Sequence, residues 1–259
     1  MNEHELRKSL SDLPLGGLRY FERTGSTNDV ALAWATEGAP DLALVCAEEQ
    51  TSGRGRGRRR WYTPPGTALA FSLVFRPVPG DENLLPRYSG LGALAVTDVL
   101  TQLGLEAEIK WPNDVLVRRR KVCGVLAEAV WIGSQPDSVV LGLGLNVLAG
   151  AIPPADYLTF PATSLESELR RDLDRLDLLH RLLAALLDWR PRLSAESFVY
   201  TWEERLAFRD EQVEVTADGM PAVTGTVAGL ERDGALRLRL ADGKTLALQF
   251  GEVHLRPVV

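Results

Sequence analysis

Four short segments of this sequence concentrate residue types that could bind a ligand or promote a reaction. The first is GSTND, in which Ser26, Thr27 and Asn28 follow one another where a helix is expected to begin. One residue of this kind is enough to cap a helix N-terminus, so capping by one of the three is the simplest interpretation. A run of three exceeds that requirement, and it favours a binding role for the segment.

The second segment is a loop rich in glycine and arginine, QTSGRGRGRRRW, which runs from Gln50 to Trp61. Glycine lets a backbone approach a ligand closely, and guanidinium groups present forked donors that match phosphate and carboxylate oxygens. Because like charges repel and glycine loses much entropy when it is fixed, we predict that residues 53–60 are mobile when empty and become ordered over an anionic ligand. A polybasic RNA-binding segment has a similar composition, but this loop lies inside a folded region rather than in a tail.

The third segment is KWPND, residues 110–114. Pro112 restricts the preceding Trp111 to an extended conformation, and Asn113-Asp114 favours a tight turn between two strands. A plain turn requires neither Lys110 nor Trp111, so the segment is a candidate for function.

The fourth segment, RKVCGVLAE, covers residues 120–128 and places Lys121 directly before an apolar strand. A lysine at the end of a strand is usually just solvated, so Lys121 is informative only together with the other segments. Further along, GLGLN places Asn146 after a glycine-spaced strand, where its amide could contact a ribose or the edge of a base.

Hydrophobic patterns indicate the elements that must position these segments. Apolar and β-branched runs predict strands over 42–47, 68–75, 107–110, 122–129 and 138–143. The run 85–103 is apolar on all sides and predicts a buried helix. Leucines at steps of three and four from Leu165 to Leu186 predict one helix that ends at Pro191, begun by a capping box of Thr163 and Glu166.

After Leu206 the pattern changes to short alternating runs over 213–216, 223–228, 235–240 and 245–250. They are separated by ADGMP, GLERDG and ADGK, which are typical of hairpin turns. We therefore predict two domains, a large one over 1–205 and a small β domain over 206–259 that packs on the first.

Composition excludes several classes of protein. The 259 residues are 45% hydrophobic and 25% charged, which excludes a disordered tail, a collagen-like array and a disulfide scaffold. No apolar stretch approaches the roughly 18–20 residues that cross a bilayer, and the first residues lack the apolar core of a signal peptide. Cys46 and Cys123 lie in apolar runs typical of reduced thiols. We therefore expect a cytoplasmic protein.

The net charge is −6, yet residues 54–60 contain five arginines and residues 118–121 are all basic. A general nucleic-acid binder would spread its positive charge over a face. Concentrated positive charge on an otherwise acidic protein suits a compact anion such as a nucleoside triphosphate, because the attraction is screened within about 8–10 Å in salt.

Taken together, GSTND, QTSGRGRGRRRW, KWPND, KVCGVLAE and GLGLN, in this order and at these distances, resemble the biotin–protein ligases from about Tyr20 to Arg256. The resemblance implies an α+β fold, with a mixed β-sheet catalytic domain packed with helices and a small C-terminal SH3-like β-barrel domain that includes GEVHLRP. It implies that biotin and ATP with Mg²⁺ form biotinyl-5′-adenylate and pyrophosphate. The adenylate then acylates a lysine of the biotin carboxyl carrier domain of acetyl-CoA carboxylase and releases AMP.

The resemblance also implies a role for each motif residue. The predicted catalytic residues are Lys121 and Arg56, because cations there would offset the repulsion between two anions and stabilise charge developing on phosphorus. The predicted biotin-binding residues are Ser26, Thr27, Asn28, Gln50, Gly53, Arg54, Arg56, Lys121 and Gly124; hydroxyls and amides among them suit the neutral ureido ring. The predicted ATP- and adenylate-binding residues are Arg56, Arg59, Trp61, Lys110, Asn113 and Asn146, and Asp114 is a predicted metal ligand.

Other expectations concern partners and alternatives. Only 25 residues precede Ser26, so the chain resembles the short class without an N-terminal DNA-binding domain, and we expect no DNA binding, no membrane binding, and a monomer or homodimer. Gly57-Arg58 stands where the family commonly has Arg-Gly, which could alter retention of the adenylate. A lipoate or octanoyl ligase or transferase of the same fold is the alternative, with thioester chemistry at Cys123 as one version of it. A non-catalytic nucleotide- or RNA-binding module would not need Lys121.

Overall fold

The structure is a computed structural model that describes residues 1–57, 59–77, 81–217, 221–249 and 253–257. Its larger part is built on a seven-stranded mixed sheet with the strand order β1-β2-β3-β7-β6-β5-β4. Strands β1 and β2 are parallel, and every other neighbouring pair in this sheet is antiparallel. The strands are β1 Gly17–Thr24, β2 Ala43–Gln50, β3 Ala68–Phe75, β4 Ala107–Lys110, β5 Asp114–Val117, β6 Arg120–Ile132 and β7 Gln135–Asn146.

Helices cover both faces of this sheet. They are α1 Glu3–Ser9, α2 Thr27–Thr36, α3 Arg87–Gln102, α4 Leu165–Leu169, α5 Arg175–Trp189 and α6 Glu196–Glu204. Leucines and aromatics of α3 and α5 pack with one face in the main core. The alanines of α2 pack on the other face against Val45, Val74 and Val140. Strand β3 is buried along its whole length because both of its faces are covered, which explains its nearly unbroken apolar sequence.

A second sheet follows, with the strand order β11-β10-β9-β8-β12 and antiparallel neighbours throughout. Its strands are β8 Gln212–Ala217, β9 Val223–Leu230, β10 Leu236–Arg239, β11 Thr245–Leu248 and β12 Val253–Pro257. The prediction of an α+β fold with a small C-terminal β domain is confirmed. Part of the predicted turn ADGMP and the first two residues of GEVHLRP lie outside the described residues. The boundary between 205 and 206 stays a prediction.

The prediction of one long helix from Leu165 to Pro191 is wrong. Residues 170–174 separate α4 from α5, and Arg170 has a left-handed backbone with a φ of 54°. Ser164, rather than Thr163, caps α4 by accepting a hydrogen bond from the Ser167 N–H at 3.3 Å. Asp174 caps α5 by accepting one from the Leu176 N–H at 2.8 Å. The predicted apolar face is buried at Leu165, Leu179, Leu183 and Leu186 and partly buried at Leu169, Leu173 and Leu176, but two separate caps divide the segment.

The other predicted elements are present with shifted ends. The buried helix predicted over 85–103 is α3, and the helix expected after GSTND is α2. Strands β6 and β7 extend well beyond the predicted runs and form a long hairpin. Within the described ranges, no helix combines the length and the apolar character that spanning a bilayer requires.

Candidate active site

A cavity of about 910 Å³ lies on the face of the large sheet that α2 covers. Every residue predicted to bind a ligand or metal lines it: Ser26, Thr27, Asn28, Gln50, Gly53, Arg54, Arg56, Arg59, Trp61, Lys110, Asn113, Asp114, Lys121, Gly124 and Asn146. These residues come from five separated segments of the chain, and the sheet brings them together because β2, β5, β6 and β7 all contribute to it or lead into it.

One end of the cavity is lined by neutral hydrogen-bonding groups. The backbone N–H and the hydroxyl of Thr27 lie 2.8 and 3.1 Å from Oε1 of Gln50, and Nε2 of Gln50 donates to the hydroxyl of Thr63 at 3.1 Å. The buried hydroxyl of Ser72 lies 2.8 Å from Oγ1 of Thr27 and 2.6 Å from Oδ1 of Asn28. These contacts fix the side chains before any ligand arrives.

Ser26 occupies the N-cap position of α2, but its side chain makes no capping hydrogen bond. Its side chain is buried and lines the cavity, and within the described part of the chain no hydrogen bond of its hydroxyl is found. Helix capping therefore does not explain the serine at position 26. That Ser26 binds a ligand remains a prediction.

The floor of the cavity consists of glycines on two neighbouring strands. Gly124 on β6 and Gly144 on β7 are paired in register, and the Trp61 indole lies over both. A Cβ at Gly144 would come within 2.2 Å of the Trp61 ring, and one at Gly142 within 1.8 Å of Oδ1 of Asn28. The alternate glycines of GLGLN therefore make room for two cavity side chains on one face of β7.

The other end of the cavity is strongly cationic and centred on a buried carboxylate. The Lys121 ammonium lies 2.6 Å from Oδ1 of Asp114, and the Lys110 ammonium lies 3.5 Å from Oδ2. Burial opposes ionisation of Asp114, but the two lysines, with a smaller contribution from Arg59, hold its pKa at about 2. The lysines also face aromatic rings: Nζ of Lys110 lies 5.0 Å from the ring centre of Phe160.

Strand pairing sets these positions. Lys110 at the end of β4 is directly opposite Asp114 at the start of β5, so the predicted turn between two strands is confirmed. The backbone of Lys121 is held by residues 161–163, because its N–H donates to Pro161 and its carbonyl accepts from the Thr163 N–H. The Asn146 amide donates to the Thr163 carbonyl at 3.1 Å, which ties the end of β7 to the same segment.

The glycine–arginine loop forms a narrow hairpin over the cavity. The Trp61 N–H donates to the Gly53 carbonyl at 2.8 Å, and the Gly55 N–H donates to the Arg59 carbonyl at 2.9 Å. Gly57 has a left-handed φ of 63°, so the departure from the family pattern places glycine where it is favoured. Arg58, the other half of that departure, lies outside the described residues. Nη1 of Arg56 lies 3.4 Å from Oδ1 of Asn113, so the tip of the loop reaches the KWPND turn.

The surroundings of Asp114 do not fit its predicted role as a metal ligand. Both of its carboxylate oxygens face lysine ammonium groups. Across the described ranges, no three His, Cys, Asp or Glu side chains are grouped so that they could hold a metal ion. Mg²⁺ is commonly bound through substrate phosphates with few protein ligands, so Asp114 is better described as the counter-ion of two lysines.

Thioester chemistry at Cys123 is also disfavoured. The Cys123 side chain is fully buried, and burial raises the pKa of its thiol to about 12. The thiolate is the nucleophilic form, so a thiol with this pKa is poorly suited to accept an acyl group near neutral pH. Cys123 therefore serves in the structure as a small core residue.

Three groups at the site were not predicted from the sequence. Ser72 lies in an otherwise apolar strand, and a buried hydroxyl needs a partner, which was the available signal. Glu128 is the last residue of the motif KVCGVLAE, and it contacts both Arg54 and Asn28. The segment 153–160 also lines the cavity, but its residue types carry no comparable signal.

The fold and the cavity define an α+β protein that can hold a neutral polar group beside an anionic one. Residues 20–146 match the Biotin/lipoate A/B protein ligase family, and residues 210–256 match the Biotin protein ligase C terminal domain. The Biotin--[acetyl-CoA-carboxylase] ligase of Mycobacterium tuberculosis is 34% identical over 271 residues, covering 99% of this chain and 96% of the relative. That of Paracoccus denitrificans is 35% identical over 232 residues, covering 86% and 94%. The chain belongs to the biotin protein ligase family.

A longer relative and a solved structure are also similar to this chain. The chain spans 57% of the length of the bifunctional ligase/repressor BirA of Bacillus subtilis, to which it is 33% identical over 186 residues, or 71% of this chain. The solved structure of biotin protein ligase from Aquifex aeolicus in complex with biotin and ATP superposes with a TM-score of 0.80 at 26% identity, covering 93% of this chain and 99% of that one.

Proposed function

We propose that this chain is an ATP-dependent biotin–protein ligase. It activates biotin as biotinyl-5′-adenylate and then transfers biotin to a lysine of a biotin carboxyl carrier domain. The observation that carries the proposal is that one cavity is lined both by neutral hydrogen-bonding side chains and by cationic ones. Biotin has a neutral ureido ring at one end and a carboxylate at the other, so its two ends suit the two ends of this cavity.

In the first step, a carboxylate oxygen of biotin attacks the α-phosphorus of ATP, and the bond from that phosphorus to the bridging oxygen breaks. Pyrophosphate leaves, and a mixed anhydride remains. Both reactants are anionic, so cations that contact them lower the barrier by offsetting repulsion and by stabilising charge that develops on phosphorus. Lys121 and Arg56 are the proposed groups, and Asp114 holds the Lys121 ammonium in place at 2.6 Å.

The neutral end positions biotin for this attack. Ser26 offers a hydroxyl to the ureido ring, while Thr27 and Gln50 present groups already oriented by their contacts with one another. Arg59, Trp61, Lys110, Asn113 and Asn146 are the proposed nucleotide contacts, and ATP would arrive with Mg²⁺ on its phosphates. Holding both reactants side by side converts a slow encounter of two anions into a reaction within one complex.

In the second step, the uncharged amine of a carrier lysine attacks the carbonyl carbon of the adenylate. The carbon–oxygen bond to phosphate breaks, AMP leaves, and the amine loses a proton as the amide forms. The similar proteins from Mycobacterium tuberculosis and Paracoccus denitrificans are named biotin--[acetyl-CoA-carboxylase] ligase, so a carrier domain of that enzyme is the proposed acceptor. The proposed compartment is the cytoplasm, which supplies ATP and keeps thiols such as Cys46 and Cys123 reduced.

Exchange of labelled pyrophosphate into ATP tests the first step directly. We expect exchange that depends on biotin and is absent with lipoate or octanoate. Exchange with lipoate instead of biotin would reassign the chain to the other branch of the family. No exchange with any of the three acids would contradict an adenylating function and favour a nucleotide-binding module. Mass spectrometry of a carrier domain, incubated with biotin, ATP and the enzyme, then tests the transfer step.

A further inference from the structure

Glu128 receives hydrogen bonds from two residues that line the cavity, Arg54 of the glycine–arginine loop and Asn28 of α2. Nη2 of Arg54 donates to its Oε1 at 2.6 Å, and Nδ2 of Asn28 donates to its Oε2 at 2.9 Å. Glu128 lies in the middle of β6, opposite Val140 of β7, so the long hairpin of the sheet supports it. Its side chain is only 23% exposed, and each of its two oxygens has one donor.

Through Arg54, Glu128 holds the base of the glycine–arginine loop. Nη1 of Arg54 also donates to Asp29 at 2.8 Å, but that carboxylate is 56% exposed and belongs to the first turn of α2. An exposed ion pair contributes little, whereas a short contact to a mostly buried carboxylate contributes more. Glu128 is therefore the stronger of the two carboxylate partners of Arg54, and it ties the base of the loop to the sheet.

Through Asn28, Glu128 also fixes the neutral end of the cavity. The Asn28 amide donates to Glu128 and, at 3.4 Å, to the Leu126 carbonyl, so both of its N–H groups are directed to protein acceptors. A carboxylate only accepts hydrogen bonds, which determines the orientation of the amide. Its Oδ1 then faces Ser72, which contacts Thr27, which in turn contacts Gln50. One carboxylate thus begins a chain of contacts that ends at the ureido-binding side chains.

We propose that Glu128 is a positioning residue for biotin: it couples the base of the glycine–arginine loop to the hydrogen-bonding groups at the neutral end, so that both are preorganised together. The inference rests on the proposed function, because it assigns biotin to that end of the cavity. Glu128 does not reach the cationic end, where Lys121 and Arg56 act. Its loss should therefore weaken biotin binding and leave the chemical step intact.

Glu128→Gln is the sharpest variant, because it is nearly isosteric and removes one acceptor. A glutamine has a single carbonyl oxygen, so its NH₂ group must face the donor of either Arg54 or Asn28. In pyrophosphate exchange, we expect the KM for biotin to rise about 10-fold, while kcat stays within about twofold and the KM for ATP is unchanged. A merely structural role would lower kcat and both affinities together with the melting temperature.

A second readout does not depend on activity. Trypsin cleavage after the loop arginines of the ligand-free protein should be about fivefold faster in Glu128→Gln, because the base of the loop is released. Asp29→Asn is the matched control: it neutralises the exposed partner of Arg54, leaves the contact between Glu128 and Asn28 in place, and should change KM and cleavage by less than about twofold. If Glu128→Gln folds poorly, Glu128→Asp carries the same test, since it keeps the charge but cannot reach both donors.

Unchanged KM for biotin and unchanged cleavage in the Glu128 variant would overturn the proposal. So would a fall in kcat equal to the rise in KM, or an equal response to Asp29→Asn. If the wild-type chain shows no biotin-dependent exchange, the proposed function fails first, and the cleavage comparison still decides whether Glu128 anchors the loop. The two failures are therefore distinguishable.

Discussion

Two cationic regions face the same cavity, and the structure supports them in opposite ways. The glycine–arginine loop, residues 53–61, is a hairpin whose Arg54 side chain is 38% exposed and pairs in part with an exposed aspartate. The lysine–aspartate cluster is formed by Lys110, Asp114 and Lys121. The Lys110 and Asp114 side chains are buried, at 6% and 7% exposed, and the Lys121 side chain is partly buried, at 24% exposed. The loop is held by its own hairpin hydrogen bonds and by side-chain contacts of Arg54 and Arg56, whereas strand pairing holds the cluster.

The difference follows from the free energy that is needed to bury each charge. A buried ammonium is tolerated only beside a counter-ion, so Asp114 must accompany the lysines, and their geometry is set before a ligand binds. Exposed guanidiniums need no such partner and can rearrange, which suits a loop that closes over an anion. A site that must both position and enclose its reactants can therefore use rigid lysines for the first task and adaptable arginines for the second.

The largest expected effect is the loss of adenylate formation when a cation is removed from either region. Lys121→Ala should lower the rate of adenylate formation by about 10³-fold, and Arg56→Ala by about 10²-fold, because each removes a cation from the developing charge. Lys121→Ala should also lower stability, since it leaves Asp114 buried with one distant partner, while Arg56→Ala should leave the melting temperature unchanged. Pyrophosphate exchange and thermal unfolding of both variants check this.

The double variant Lys121→Ala with Asp114→Asn provides the control. Removing the unpaired carboxylate should restore the melting temperature without restoring the rate. If the rate recovers with the fold, Lys121 acts only through stability, and its catalytic assignment is wrong.

The second prediction concerns acid stability of the cluster. The pKa of Asp114 is about 2 in the folded protein, against 3.8 for an unperturbed aspartate. Its folded pKa is lowered, so its stabilisation is present above pH 3.8 and is lost as the pH falls toward 2. The free energy of unfolding should therefore drop by about 2 kcal/mol more in wild type than in Asp114→Asn over this range. Urea unfolding at several pH values tests it; parallel curves for the two proteins would contradict the assignment.

The third prediction concerns a hydrogen bond that links the KWPND segment to the C-terminal sheet. The buried Trp111 donates its indole N–H to the Gly234 carbonyl at 3.0 Å, which joins KWPND to a turn of the C-terminal sheet. Trp111→Phe keeps one aromatic ring but loses that bond and part of the buried indole, and should cost at least about 1–2 kcal/mol of unfolding free energy. The same variant should also raise the KM for ATP slightly. Phe21→Leu, a change outside both regions, serves as the control for general loss of packing.

The smallest expected effect concerns the loop itself. Biotin with ATP should reduce trypsin cleavage within residues 53–60 by a factor of roughly three to ten, because closing the loop over an anion restricts its backbone. Cleavage elsewhere in the chain gives the internal reference. Equal rates with and without ligands would show that the loop does not close, and the contrast between an adaptable and a rigid region would then be lost.

The sequence predicted local features well where one segment carries its own signal. KWPND forms the expected turn because Pro112, Asn113 and Asp114 restrict the backbone of that segment alone. Most strands and the helix α3 were likewise predicted from their runs of apolar residues, whereas β1 and β5 were not among the predicted runs. The leucine pattern from Leu165 to Leu186 misled because burial periodicity does not reveal that a chain stops and restarts a helix. Asp174 was the signal that a second cap begins there.

Sequence by itself identified the motif residues that line the cavity, because the motifs carry residue types that a solvated surface does not require. It did not identify Ser72, Glu128 or the segment 153–160. Tertiary structure decided how those residues are used. Three features of the site depend on strand register. Asp114 neutralises two lysines, Gly144 makes room for Trp61, and Glu128 joins Arg54 to Asn28. Register is set by the pairing of distant segments across the sheet, and a shift of one residue would turn each side chain to the opposite face. No local pattern contains that information.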